Sequence, residues 1–262
     1  MLVDSHCHLD FPGFSERLDE VLASMQANGV GHALCVCVAL DGFEQVLRIA
    51  RSDPRLSASV GVHPESPDAL EPDVDTLVRL AADPKVVAIG ETGLDYYRAE
   101  GDTEWQRERF RVHIRAARAS RKPLIVHTRA ASADTIRLLR EERADEAGGV
   151  LHCFTEDWET ARAGLDLGFH VSFSGIVTFR NAQSLREVAA RIPDDRLLVE
   201  TDSPYLAPVP KRGKTNEPAW VRHVAECLAQ LRGGTLDGIA AQTTENFFRL
   251  FRGARRGADA HA

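Results

Sequence analysis

Short apolar, β-branched runs recur along the chain, and each gives way to a segment whose apolar residues return every three or four positions. The runs predict strands at Met1–Asp4, Ala33–Val38, Leu56–Val62, Val86–Gly90, Pro123–Val126, Gly149–Leu151, Val171–Ser174 and Arg196–Glu200. Between them, Leu18, Val21, Leu22 and Met25 fall at i, i+3, i+4 and i+7, as do Val74, Leu77, Val78 and Ala81, and Val221, Val224, Ala225 and Leu228. Eight strands alternating with helices over ~250 residues predict an α/β protein of the (β/α)8 TIM-barrel kind. It is expected to be a single domain over residues 1–252. An open doubly wound sheet usually carries a Gly-rich turn after its first strand; here that place holds His6-Cys7-His8. No linker, repeat or low-complexity run intervenes, and residues 253–262 are expected to form a disordered tail.

Placing the histidines on this frame changes the picture. His6, His8, His63, His127 and His152 sit at or just after the C-terminal ends of predicted strands. In a barrel those ends form one face, where active sites lie. His6 and His8 are two apart on a strand, so their imidazoles point the same way. Glu91 and Asp202 arrive by the same route, directly after Val86–Gly90 and just past Arg196–Glu200. By contrast, His32 and His170 fall near strand starts, His113 and His223 lie within helices, and His261 is in the tail.

Imidazoles and carboxylates without a thiolate suit a pair of borderline or hard divalent ions. Cys7 alternates with His6 and His8 and should point outward, and Cys153, after His152, should turn away as a small buried residue. Asp4 and Glu200 lie two residues before His6 and Asp202. They either orient ligands or form an ionic group inside the barrel. Many barrel hydrolases bridge two metals with a carboxylated lysine. Here Lys85 and Lys122 precede strands, and Lys211 and Lys214 lie in a loop, which leaves Glu91 as the bridge.

Composition narrows the setting. The chain has 262 residues, with 44% hydrophobic and 27% charged, ordinary for a soluble globular protein. No apolar run approaches the ~20 residues needed to span a bilayer, and no signal peptide is expected before the first strand. Five irregularly spaced cysteines argue against a disulfide framework and for a reducing, cytoplasmic setting. A net charge of −7 excludes a protein that coats nucleic acid non-specifically. It does not exclude an enzyme acting on nucleic acid, because bound cations would reverse the local field.

Several blocks then resemble one family. They are Asp4-Ser5-His6-Cys7-His8-Leu9-Asp10, Gly61-Val62-His63-Pro64, Gly90-Glu91-Thr92-Gly93-Leu94-Asp95-Tyr96-Tyr97, Pro123-Leu124-Ile125-Val126-His127-Thr128-Arg129, Leu151-His152-Cys153-Phe154, Glu200-Thr201-Asp202-Ser203-Pro204-Tyr205-Leu206 and Arg212-Gly213-Lys214-Thr215-Asn216-Glu217-Pro218. In this order they resemble a TatD-type metal-dependent deoxyribonuclease, a branch of the amidohydrolase superfamily. The resemblance implies one metal on His6, His8, Glu91 and Asp202 and a second on Glu91, His127 and His152. It also implies hydrolysis of phosphodiesters in DNA, often from the 3′ end.

Two ions ~3.5–4 Å apart can activate a shared water and clamp the oxygens of an in-line displacement. Asp202 is then placed to take the water's proton or to orient it. Lys211, Arg212 and Lys214 form a basic loop expected to contact phosphates. Arg129, two residues beyond His127, contacts phosphate or pairs with a carboxylate. His63 touches substrate or braces a ligand. Tyr96, Tyr97 and Tyr205 either stack on bases or pack at the rim. DNA is the expected partner, with no membrane, no obligate protein partner and a monomeric state. The native metal is left open among Zn²⁺, Mn²⁺ and Mg²⁺. Two other readings compete: a small-molecule amidohydrolase or esterase with the same metal centre, and a scaffold or quality-control factor with vestigial catalysis.

Overall fold

In the computed structural model, which describes residues 1–66, 68–97, 99 and 101–256, the apolar runs become eight parallel strands. They are β1 (Leu2–Cys7), β2 (Val30–Cys35), β3 (Leu56–Val60), β4 (Val86–Asp95), β5 (Leu124–Arg129), β6 (Gly149–Leu151), β7 (His170–Phe173) and β8 (Leu197–Val199), paired in sequence order. The helices are α1 (Leu18–Ala27), α2 (Phe43–Ser52), α3 (Val74–Ala81), α4 (Glu104–Ser120), α5 (Ser132–Glu141), α6 (Trp158–Asp166), α7 (Gln183–Ala189), α8 (Val221–Leu231) and α9 (Leu236–Leu250). The stripes read from the sequence are the ones buried: Val21, Leu22 and Met25 in α1, Leu77 and Ala81 in α3, and Val221, Val224, Ala225 and Leu228 in α8.

The strand pleat divides the core in two. Ala33, Cys35 and Cys37 pack outward beneath the helices, while Leu34 and Val36 join Val3, Val87, Ile125 and Leu198 in a separate inner cluster. Phe247 of helix α9 and Phe251 just past its end seal the bottom of that cluster. Asn246 Nδ2 of α9 donates to Leu197 O (2.9 Å) and Asp194 O (2.8 Å), and Thr244 Oγ1 donates to Met1 O at 3.0 Å. At the opposite end, the segment after β8 draws the ring together. Asp202 N donates to His6 O and His8 N donates to Ser203 O, both at 2.9 Å. Barrel closure itself thus sets Asp202 beside His6 and His8.

The strands differ from the expected ones by one or two residues at several ends and by three or more in four strands, including β1, which runs on to Cys7. β2 runs from Val30 to Cys35, three residues earlier than expected, and β5 runs on to Arg129. β4 continues through the polar stretch Glu91–Asp95, pairing with β5 as far as Asp95↔Arg129. That stretch is wholly buried, so the polarity that ends the apolar pattern does not end the strand. Gly93 makes the close pairing possible: its φ is +135°, and a Cβ there would lie 2.0 Å from His127 O. Residues 253–256, expected in a disordered tail, turn back on α9, with Ala254 N donating to Phe251 O and Arg256 pairing with Glu245. The rest of that tail, 257–262, lies outside the described residues.

Candidate metal centre

Five strand ends, those of β1, β3, β4, β5 and β6, and the closing segment bring their polar residues to one buried point at the C-terminal mouth. Glu91 of β4 is its centre. Its Oε2 lies 3.2 Å from His6 Nε2, while its Oε1 lies 2.7 Å from His152 Nε2 and 3.2 Å from both His63 Nε2 and His127 Nδ1. Asp202 Oδ1 is 3.4 Å from His8 Nε2 and 3.7 Å from His6 Nε2. The His6 and His152 rings stack at 4.0 Å. Asp202 holds a φ of +56°, a conformation unusual for a residue with a side chain.

These residues fit divalent cations. Ligand atoms of His6, His152 and Asp202, of His6, His8 and Glu91, and of His63, Glu91 and His127 lie within 4.8 Å of one another in each group. The ring nitrogens of His6 and His152 are buried and form no hydrogen bond, although carboxylate oxygens stand at 3.2 and 2.7 Å. Buried nitrogens that converge without hydrogen bonding are costly unless another partner satisfies them. A cation is such a partner. Two outer nitrogens are held in turn, His8 Nδ1 at 3.2 Å from Val36 O and His127 Nε2 at 2.9 Å from Asp95 Oδ2, while His152 Nδ1 faces Glu200 Oε1 at 3.3 Å as an ion-pair contact.

Burial opposes the charge on Glu91, but His152, His63 and His6 together outweigh it and hold the carboxyl well below its usual range. The complement is His152, where burial disfavours the charged ring and Glu91 and Glu200 raise its pKa regardless. Asp202 is likewise pushed up by burial and drawn down further by His8 and His6.

Asp4 and Glu200 have separate tasks. Glu200 Oε1 accepts from Cys153 N at 2.6 Å and faces His152 Nδ1. Asp4 does not reach an imidazole. Its carboxylate accepts from Thr201 N (2.8 Å), Thr201 Oγ1 (2.6 Å) and His6 N (3.3 Å), bracing the backbone beside Asp202. Cys7 packs in the outer core and donates to Leu34 O, as the alternation requires. Cys153 departs from expectation by lining the cavity over the metal centre, with its thiol 3.2 Å from Ser174 Oγ.

That cavity has a volume of about 710 Å³, and Arg129 borders it with its guanidinium 4.0 Å from the ring centre of exposed Tyr97. Tyr205, also exposed, lies on the same rim beside Phe11. Tyr96 is committed elsewhere: its hydroxyl donates to Asp134 at 2.8 Å and accepts from Arg107 at 3.0 Å. The basic loop does not line the cavity. Lys211 sits 5.3 Å from the Trp220 ring, Arg212 lies 3.9 Å over Phe179 and donates to Ala207 O, and Lys214 is exposed. Aromatic faces and a local carbonyl hold the first two away from the mouth.

Sequence reasoning passed over three contributors. Asp95, which orients His127, is four residues beyond Glu91 in the same strand, a spacing that itself puts both on one face. Arg109 and His113 of α4 support the segment just after β3: Arg109 Nη1 donates to His63 O at 2.8 Å, and His113 Nε2 accepts from Val62 N at 3.0 Å. No local signal marks those two helix positions.

A nearly closed parallel barrel, its last gap spanned by the Cys7–Ser203 bridge, with a histidine and carboxylate cluster at its C-terminal mouth belongs to the class of metal-dependent barrel hydrolases. Residues 3–252 match the family described as TatD related DNase. The chain is 53% identical over 254 residues to the uncharacterized metal-dependent hydrolase YcfH of Escherichia coli K12, covering 95% of each chain. It is 33% identical to the 3'-5' ssDNA/RNA exonuclease TatD of Salmonella typhimurium, covering 95% of this chain and 98% of that one. In structure it is similar to the TatD homolog YJJV of Escherichia coli, with TM-score 0.88, 28% identity, and 96% and 98% of the two chains covered. The chain belongs to the TatD family and is a metal-dependent hydrolase. Among the described residues, no helix is long and apolar enough to cross a membrane.

Proposed function

We propose that the protein hydrolyses phosphodiester bonds in single-stranded DNA from an end, using two divalent ions. His6, His8, Glu91 and Asp202 would hold one ion, and Glu91, His127 and His152 would hold the other. The observation that carries this reading is the division of Glu91: Oε2 faces His6, and Oε1 faces His127 and His152. When bound, divalent ions of the Zn²⁺, Mn²⁺ or Mg²⁺ kind lower the pKa of water and neutralise charge on phosphoryl oxygens. Asp202 takes the proton that the attacking water gives up, and Glu200 and Asp95 keep His152 and His127 turned inward. Arg129 contacts a phosphate at the rim, and Tyr97 and Tyr205 offer ring faces to bases. Lys211, Arg212 and Lys214, outside the cavity, reach only the flanking phosphates of a longer strand.

The likeness to the Salmonella 3'-5' ssDNA/RNA exonuclease supports the choice of substrate. The five cysteines, free thiols all, fit a reducing cytoplasm. One observation favours a second reading, an amidohydrolase or esterase acting on small molecules. A cavity of about 710 Å³ suits such a ligand, and the basic loop stands off it. Digestion of end-labelled single-stranded DNA, with and without chelator, tests the choice. Progressive shortening abolished by chelator supports the nuclease. Intact DNA alongside turnover of amides or esters would transfer the conclusion to the second reading.

A further inference from the structure

Except in His6, whose two ring nitrogens have no hydrogen-bond partner, the neighbour of the outer nitrogen decides what the inner nitrogen of each imidazole at the centre presents. His8, His127 and His152 each turn the outer nitrogen toward an oxygen acceptor, on Val36, Asp95 and Glu200 respectively. The ring hydrogen resides there, and a lone pair faces inward, as a metal ligand requires. His63 is the reverse case. Its Nδ1 accepts a hydrogen bond from the backbone N–H of Glu65 at 3.0 Å. An imidazole that accepts at Nδ1 carries its hydrogen on Nε2, and Nε2 is the nitrogen that stands 3.2 Å from Glu91 Oε1. The spacing of His63, Glu91 and His127 suits a cation. Even so, a hydrogen occupies the direction in which His63 would have to offer its lone pair.

The surrounding chain holds this arrangement. His63 N donates to Val38 O at 2.9 Å, and Arg109 Nη1 donates to His63 O at 2.8 Å. Arg109 is fixed in turn: its side chain is 1% exposed, it pairs with Glu71, and its own carbonyl receives the Nδ1–H of His113 at 2.8 Å. The His63 ring meets His127 edge-on at 4.7 Å and lines the cavity.

We infer that His63 is not a metal ligand but a fixed hydrogen-bond donor, whose Nε2–H serves an oxygen of the bound phosphodiester as negative charge builds there. The ring transfers no proton, since a neutral imidazole that gave up Nε2–H would become an imidazolate. Its contribution is electrostatic, from a donor oriented before the substrate arrives. The substrate half of this inference rests on the phosphodiesterase reading; the tautomer half does not.

Two-bond ¹H–¹⁵N correlation spectra of the full chain, metal-free and metal-loaded, read the tautomer directly. The expected His63 carries its hydrogen on Nε2 in both. His63→Ala and His63→Gln should bind Mn²⁺ with wild-type stoichiometry, whereas His127→Ala should not. On end-labelled DNA and on bis(p-nitrophenyl) phosphate, His63→Ala should lose about 10²–10³-fold in kcat with KM little changed. His63→Gln, which keeps an N–H donor, should recover part of that loss. A hydrogen on Nδ1, one ion fewer in His63→Ala, or undiminished kcat in that variant would each overturn the inference. If the wild type cuts neither phosphodiester while tautomer and stoichiometry come out as expected, the phosphodiesterase reading fails, and with it the substrate half; the exclusion of His63 as a ligand stands.

Discussion

Glu91→Gln perturbs the centre at the one residue that faces both histidine groups. Four imidazole nitrogens stand within 3.2 Å of its carboxylate, three around Oε1 and one at Oε2. A glutamine keeps the shape but not the charge, and replaces one oxygen by an amino group that has no lone pair to offer. One group then faces a neutral oxygen and the other a donor. Breaking a buried charge arrangement by removing one partner costs ~3–5 kcal/mol. At ~1.4 kcal/mol per tenfold, that is a loss of roughly two to three and a half orders of magnitude in metal affinity. Metal content after dialysis and calorimetric titration measure the loss. Thermal unfolding gives an independent check, because an ion at a hundred times its Kd stabilises the native state by about 2.7 kcal/mol. The wild type should gain that increment on adding metal, and the variant should gain almost none. Two ions retained at wild-type affinity would remove Glu91 from the bridging role.

Asp202→Asn should lower kcat far more than it raises KM, since an amide can approach a metal but cannot accept a proton; steady-state kinetics decide, and a pure KM effect would make Asp202 a binding residue. Arg129→Gln should weaken cleavage of both DNA and a small activated phosphodiester. Neutralising Lys211, Arg212 and Lys214 should spare the small substrate and reduce the log–log salt slope of single-stranded DNA binding by ~0.7 per lost contact, a pattern that equal losses on both substrates would contradict. Acid should also destabilise the fold through buried His32, whose pKa is pushed down to about 3 by burial and then by Lys85. Between pH 6.5 and that value the unfolded chain binds a proton that the folded ring refuses, so stability falls as pH falls. From pH 6.5 to 5 the loss is about 1.6 kcal/mol. Urea unfolding at the two pH values should show a shallower dependence in His32→Leu, and parallel curves would refute the assignment.

Much of the site was legible before the fold because strand periodicity is local. A residue's place at the end of an apolar run says which face of a barrel it reaches, so His6, His8, His63, Glu91, His127, His152 and Asp202 could be gathered at one mouth by spacing alone. The same logic failed where burial and polarity part company. Glu91–Asp95 looks like the start of a loop, yet pairing with β5 keeps it in the strand, and Asp95 comes to orient His127. The basic loop shows a related limit: a run of like charges states its own composition but not what lies under it, and here Trp220 and Phe179 do.

Sequence by itself determined the barrel and the set of residues at its C-terminal mouth, because both follow from periods of two and 3.6 residues along a single chain. Only the tertiary structure decided which nitrogen of each imidazole faces the centre. That choice belongs to partners distant in sequence or supplied by backbone geometry: Asp95 for His127, Glu200 for His152, Val36 for His8 and the Glu65 N–H for His63. A ring nitrogen's role is set by the donor or acceptor on its far side, and that neighbour exists only once the chain has folded.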